Sequence, residues 1–366
     1  MIRSVAIIGT GLMGGSLALA LRNAQPDLDI IGVDQPGILE IALSRGIITS
    51  SRESATEAAS VADVVVLATP LSTSERLLAE IGPHVRPGAV VHDVCSVKGS
   101  IATIAKSALS DEVLFVGGHP MTGSEKGGIR HADALLFENV TYILCPEVHG
   151  DKQLAAYGVF TDLLTSTGAR LLEMDASTHD RIAARVSHLP QLLSVLMVNL
   201  ASISRSKDRD LLDLAAGGFR DMTRIASSPF PMWRDILEEN RTEVLDALDT
   251  FEKLLRDLRE DLSVSDLDAI GERFRDAEQT RDFIPADRKG FLQPLADVYV
   301  FASDRPGALV GITGSLFDAS LSIKDIELLR IRESTGGTFR LGFRTVEEAT
   351  KAVKVLSEKG FSSYRL

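Results

Sequence analysis

Up to about residue 170 the chain alternates short, mainly apolar runs with stretches of helical periodicity. The runs are residues 5–8, 30–33, 64–68, 89–94, 114–117 and 142–144; residues 16–23, 37–44 and 98–109 carry a 3.6-residue repeat between them. Strands that are apolar throughout and separated by helices read as a parallel sheet covered on both faces. From residue 175 to 283 the strand pattern vanishes. Residues 177–204 read as one long apolar helix with Ser177 or Thr178 at its N-cap and a kink at Pro190, and 230–262 and 265–281 as further amphipathic helices. Residues 283–290 read as a linker. Beyond them, strand 296–302, helix 309–319, strand 322–332, strand 338–343, helix 346–359 and strand 362–366 give the order βαββαβ, the split βαβ of ferredoxin-like modules. The expected domains are 1–172, 173–284, a linker at 285–295, and 296–366.

Composition narrows the classes. The 366 residues are 45% hydrophobic and 25% charged, with a net charge of -12 and no block of like charge. A nucleic-acid binder would show a basic face, so that class is excluded. Cys95 and Cys145 cannot make a disulfide framework, and no His/Cys/Asp/Glu group has metal spacing, so no metal is expected. The apolar stretch 192–201 is interrupted by Ser194 and Asn199 and is short of the roughly 20 residues that span a bilayer. No membrane association and a reduced, cytoplasmic setting are the expectation. A helical block this apolar calls for a partner surface, which points to a homodimer. Met197 and its neighbours read as core.

Three groups of residues carry candidate chemistry. The first strand ends in Gly9-Thr10-Gly11-Leu12-Met13-Gly14 and opens a helix; Asp34 closes the second strand. Glycines let the backbone approach a pyrophosphate on the helix N-terminus, and a carboxylate at the second strand's end binds the ribose of NAD and repels a 2′-phosphate. Next, Val94-Cys95-Ser96-Val97-Lys98-Gly99 and Gly117-Gly118-His119-Pro120-Met121-Thr122-Gly123-Ser124-Glu125-Lys126-Gly127 follow two later strands, where ligands of open α/β sheets sit. His119 on that constrained backbone suits proton removal from a hydroxyl; a turn histidine satisfied by backbone is the other reading. Last, Ser187-His188-Leu189-Pro190-Gln191 lies at the helix kink, and residues 216–226 form a glycine-rich, charged loop near Trp233. Arginines there suit a carboxylate; a solvated loop with Asp221 neutralising an arginine fits equally. His84, His131 and His149 read as surface or loop residues, and His179-Asp180 as a cap and an exposed pair.

Together these segments resemble the prephenate and arogenate dehydrogenases of tyrosine biosynthesis. The likeness rests on GTGLMGGS, the Asp-Val-Cys-Ser-Val-Lys segment, GGHPMTGSEKGG, the SHLP kink and GGFRDMTRIASSPFPMW, in that order. It implies a Rossmann-type NAD-binding domain, an all-α dimerisation domain and a C-terminal ACT domain. It further implies an NAD-dependent oxidoreductase acting on a CH–CH donor, with prephenate decarboxylated to 4-hydroxyphenylpyruvate; arogenate is the alternative substrate. By motif, His119 and Ser96 would be catalytic. Arg224, Ser124, Glu125, His188 and Gln191 would meet the substrate. Gly9, Gly11, Leu12, Met13, Gly14, Asp34, Thr69 and Pro70 would hold NAD. Asp304, Pro306, Gly307, Ala308 and Leu309 would bind an effector, L-tyrosine. Two positions depart from the family pattern: Gln191 stands where many prephenate-specific members have a second histidine, and Ser322 where ACT segments often have asparagine.

Overall fold

The computed structural model describes residues 2–123, 127–205, 214–283, 295–332 and 336–365. The chain divides into two compact units, Met1–Asp276 and Ala277–Leu366. The first begins with β1 (Ser4–Ile8), α1 (Leu12–Ala24), β2 (Asp29–Val33), α2 (Pro36–Ser44), β3 (Ser50–Ser51), α3 (Ala55–Val61), β4 (Val64–Leu67) and α4 (Leu71–Ile81). It continues through β5 (Val90–Asp93), α5 (Gly99–Ala108), β6 (Leu114–Pro120), β7 (Thr141–Glu147), α6 (Asp151–Thr165) and β8 (Arg170–Glu173). The strands form one sheet in the order β3-β2-β1-β4-β5-β6-β7-β8.

The runs do not alternate with exposed polar positions because both faces are covered. Val5 and Ile7 join the cluster containing Leu17 and Leu21 of α1, while Ala6 and Ile8 join Ala58 of α3 and Leu78 of α4 on the other side. The sheet is not parallel throughout, as the runs suggested: β7 pairs antiparallel with β6, and β8 then runs parallel to β7. An apolar run carries no direction, so strand sense was beyond its reach. β1 lies between β2 and β4, which makes its C-terminal end the place where the strand order reverses and ligands bind in open sheets.

The helical part comprises α7 (Ala176–Ala183), α8 (Leu189–Arg205), α9 (Gly217–Thr223), α10 (Phe230–Glu239), α11 (Arg241–Ser263) and α12 (Leu267–Asp282). The N-cap of α7 is Asp175, not Ser177 or Thr178; its carboxylate accepts the Thr178 N–H at 2.8 Å. The distortion expected at Pro190 is a π-helical turn at residues 184–188, where the Leu189 N–H reaches the Ala184 carbonyl. Proline's missing N–H and ring favour such widening of the turn before it. Residues 230–262 are two helices rather than one, broken at Asn240, and the expected loop at 216–226 is α9 followed by a 3₁₀ turn, Arg224–Ser227. Met197 and its neighbours are not core within one chain. Leu196, Leu200 and Ile203 are more than half exposed. Ala176–Ile203, counted across the π turn, is long and apolar enough by length and composition to cross a membrane.

The second unit contains β9 (Ala296–Ala302), α13 (Ala308–Asp318), β10 (Asp325–Arg332), β11 (Gly336–Phe343), α14 (Val346–Glu358) and β12 (Ser363–Tyr364), the order expected. Its antiparallel sheet runs β10-β11-β9-β12, and Val298, Val300, Leu341 and Phe343 share a core with Ile312 and Leu316 of α13 and Ala352 and Leu356 of α14. Of the expected linker, residues 285–294 lie outside the described residues.

Candidate active site

The turn after β1 is shaped by what its glycines must avoid. Gly9 has φ +96°, and a Cβ there would meet the Ala68 carbonyl oxygen at 2.7 Å and Thr69 Cγ2 at 2.8 Å. Thr69 is thereby brought against the turn. A Cβ on Gly14 would lie 2.1 Å from the Gly9 oxygen, so this glycine lets α1 pack on the strand. Gly11 is different: open space surrounds its Cβ position, and no side chain caps α1. Free N–H groups beside an unfilled cradle fit a pyrophosphate. Asp34 Oδ2 accepts from Thr10 N at 2.7 Å and Thr10 Oγ1 at 3.2 Å, and Oδ1 from Gln35 N at 2.7 Å, which leaves Oδ1 a lone pair for a ribose hydroxyl. A cavity of about 480 Å³ beside it is lined by Gly9, Asp34, Gln35, Glu53 and Thr69. These residues fit NAD.

His119 sits at the end of β6, half-buried, and its two preceding glycines explain its placement. A Cβ on Gly118 would lie 2.2 Å from the His92 ring and 2.6 Å from the Asp93 oxygen, so only glycine lets β6 approach β5 here. His92 is wholly buried, with Nδ1 2.7 Å from the Val116 carbonyl and Nε2 2.8 Å from the Tyr142 hydroxyl. Burial pushes its imidazole down to about 4. It is therefore neutral near pH 7 and holds strands together. Lys98, also wholly buried, donates to the Asp93 carboxylate and to the Gly118 carbonyl. That pair ties the loop carrying Ser96 to the strand carrying His119. Burial, and then the neighbouring His179, Lys98 and His188, hold the His119 imidazole well below its usual value. A neutral ring at neutral pH is what a proton acceptor needs.

The helical residues complete the site, and two of them correct the sequence reading. His179 and Asp180 are not an exposed pair: both are buried. His119 Nδ1 is 2.8 Å from His179 Nε2, and His179 Nδ1 is 2.7 Å from Asp180 Oδ1. Asp180 does cap a helix, but that helix is α5: its carboxylate accepts from Lys98 N at 2.8 Å and Gly99 N at 2.7 Å. Asn240, at the break between α10 and α11, donates to the Asp180 carbonyl at 2.8 Å and lies 3.1 Å from His188 Nδ1. His188 is buried edge-on to Trp233, and burial pushes it down to about 4. Gln191 is buried too, and its amide donates to the Ile225 carbonyl at 2.9 Å, so it secures the turn that begins with exposed Arg224.

Ser96 is half-buried in the loop after β5, and Pro70 precedes α4 beside Thr69. Ser124 and Glu125 lie outside the described residues. In the second unit, Asp304, Ala308 and Leu309 line a cavity of about 290 Å³ with Arg305, Leu328 and Phe339; Pro306 and Gly307 are not part of its lining. Sequence reasoning missed His92 and Asn240, the pairing of Lys98 with Asp93, and the contacts of His179. The signal available for Lys98 and Asp93 was a charged pair five residues apart, spanning a loop at a strand's end.

A family model described as prephenate dehydrogenase, nucleotide-binding domain, matches residues 17–173, and one described as prephenate dehydrogenase, dimerization domain, matches residues 175–276. A prephenate dehydrogenase of Bacillus subtilis is 33% identical over 358 residues, covering 97% of this chain and 96% of that protein. The crystal structure of prephenate dehydrogenase from A. aeolicus with hydroxyphenyl propionate and NAD+ superposes with a TM-score of 0.71 at 31% identity, over 78% of this chain and 99% of that one. A Synechocystis arogenate dehydrogenase gives 0.67 at 29% identity, over 76% and 99%. With the NAD cradle and the buried histidine site, these matches show that the chain belongs to the prephenate dehydrogenase family and is an NAD-dependent oxidoreductase.

Proposed function

We propose that the chain oxidatively decarboxylates prephenate to 4-hydroxyphenylpyruvate in tyrosine biosynthesis, with His119 as the acceptor of the ring hydroxyl proton. The observation that carries this reading is the neutral, half-buried His119 held at the C-terminal end of the sheet by Gly118, Lys98 and His179. NAD, held by Gly9, Gly11, Leu12, Met13, Gly14, Asp34, Thr69 and Pro70, supplies the hydride acceptor. His119 takes the hydroxyl proton as hydride leaves the same carbon, the ring carboxylate departs as carbon dioxide, and the electron pair it leaves aromatises the ring to a phenolate that regains the proton. Aromatisation makes that step downhill, so the protein's task is alignment. Ser96 supports the hydroxyl, while Arg224 with Ser124, Glu125, His188 and Gln191 receives the rest of the substrate. Arogenate is the second reading, favoured by Gln191 in place of a histidine. Steady-state kinetics with prephenate and arogenate, each with NAD and NADP, test both. Turnover of neither substrate would remove the reading.

The same proposal divides the chain into a nucleotide-binding domain (1–172), a helical substrate and dimerisation domain (173–284), a linker (285–295) and an ACT domain (296–366). The apolar surface of α8 and the unburied segment 217–227 support a homodimer through the helical domain. Buried, unpaired Cys95 and Cys145 suit the cytoplasm. For the ACT domain the support is its element order and the cavity at residues 304–309. There α13 starts after Gly307, at φ +82°, with no side-chain cap, which leaves N–H groups for the carboxylate of L-tyrosine.

A further inference from the structure

We propose that Asp180 and His179 are positioning residues that set which nitrogen of His119 carries its proton. The inference rests on the reading of His119 as proton acceptor and concerns what makes it one.

The Asp180 carboxylate accepts hydrogen bonds and gives none, and it already takes the Lys98 and Gly99 N–H groups at the start of α5. The nitrogen facing it, His179 Nδ1, therefore holds that ring's proton. In the proposed arrangement each ring carries one proton, so His179 Nε2 is an acceptor and the nitrogen facing it, His119 Nδ1, is the donor. That leaves His119 Nε2 unprotonated. It is the one nitrogen of the ring not committed to this chain of contacts, and the one that can receive a proton from substrate.

The geometry also says why an aspartate is needed rather than any polar residue. Each of its oxygens meets a fixed backbone donor of α5, so the carboxylate cannot turn away from His179. Asn240 fixes it from the other side by donating to the Asp180 carbonyl. The same amide donates to His188 Nδ1, so His188 carries its proton on Nε2. The site thus holds two neutral imidazoles with opposite roles at Nε2, an acceptor at His119 and a donor at His188. An asparagine at 180 would turn its NH₂ either on the α5 N–H groups or on His179. In the second arrangement His179 would flip its tautomer, and His119 would carry its proton on Nε2.

The test has two arms. In the unmodified enzyme, ¹⁵N NMR of ring-labelled histidine, assigned with the His119→Asn and His179→Gln variants, reads the tautomers directly. The expected result is His119 protonated at Nδ1; protonation at Nε2 overturns the proposal whatever the variants do. In kinetics, Asp180→Asn and His179→Leu should lower kcat by roughly 10²-fold or more, with KM for substrate and NAD within about threefold. His179→Gln, whose carbonyl oxygen can accept from His119 Nδ1, should stay within about tenfold of the parent. Parental turnover in His179→Leu, or a Gln variant no better than Leu, sinks the relay. Failure of the underlying reading is distinct: it would show as parental turnover in His119→Asn.

Discussion

In the unit Met1–Asp276, Asp93, Lys98, His179, Asp180, His188 and Asn240 are all buried and joined into one hydrogen-bonded set beside His119. In Ala277–Leu366, Arg340 is the buried charged side chain among the described residues. It lies on the sheet with Asp297 at 3.4 Å, Asp325 at 3.0 Å and Glu327 alongside. The contrast separates two uses of buried polarity. Arg340 is matched locally by its strand neighbours, which holds register and demands nothing of the rest of the chain. The first set draws on β5, α5, β6, α7, the π turn and the break before α11. Polar groups that cost this much to desolvate, collected from so many elements at the ligand-binding end of a sheet, mark a reacting site.

The strongest way to break that contrast is His119→Asn. If the buried set exists to serve His119, kcat falls roughly 10²–10⁴-fold while NAD affinity, read by fluorescence titration, is unchanged. The acid limb of kcat/KM lies below pH 6.5 in the parent, since burial lowers the imidazole, and disappears in the variant. Parental turnover would reduce the whole set to a structural network.

Next in size is the response to acid. His92 and His188 each fall to about 4 in the folded chain, against roughly 6.5 unfolded. Between those values the unfolded chain binds a proton that the folded one refuses. Stability is then full above pH 6.5 and is lost as pH drops toward 4, by about 3 kcal/mol for wholly buried His92. The C-terminal unit contains no histidine. Urea titrations at pH 7.5, 5.5 and 4.5 should show the transition that exposes Trp233 moving with pH. His92→Gln should flatten that dependence, and a pH-independent parent would contradict the assignment.

How much of this was legible beforehand differs between the halves for a physical reason. The strands, the glycine turn, Asp34 and the His119 loop announce themselves locally, because each needs a run, a turn residue or a special backbone within a few positions. β3 and β8 were missed: one is two residues long, and the other is mostly exposed. His179 and Asp180 look like any charged pair at a helix start. What makes them buried is α5, whose N-terminus lies about 80 residues earlier in the chain. His92 hides within an apolar run for the same reason, its partners being Val116 and Tyr142.

Arg224 probes the edge of the catalytic set. It is exposed, at the head of a turn held by Gln191, so its removal should leave the buried network intact. Arg224→Ala is expected to raise KM for prephenate by about 10–100-fold, the range of a lost charge-assisted contact, with kcat within about threefold. A fall in kcat equal to the rise in KM would place the arginine in the transition state instead.

The smallest effect belongs to the C-terminal unit, where the site proposed is an open cavity rather than a buried cluster. A ligand there can alter turnover only through its different affinity for two states of the enzyme, a coupling of roughly 1–3 kcal/mol, or about tenfold on prephenate KM. L-Tyrosine titrated into the full chain should give that shift, and calorimetry should give one binding event per chain. Asp304→Ala, which alters the cavity rim and leaves the core of Val298, Leu316 and Phe343 alone, should weaken the event without changing kcat in the absence of tyrosine. If tyrosine acts equally on both forms, it is binding beside His119 in competition with substrate. The contrast between the two units then sharpens: all ligand recognition would lie where the polar groups are buried, and the last ninety or so residues would serve assembly alone.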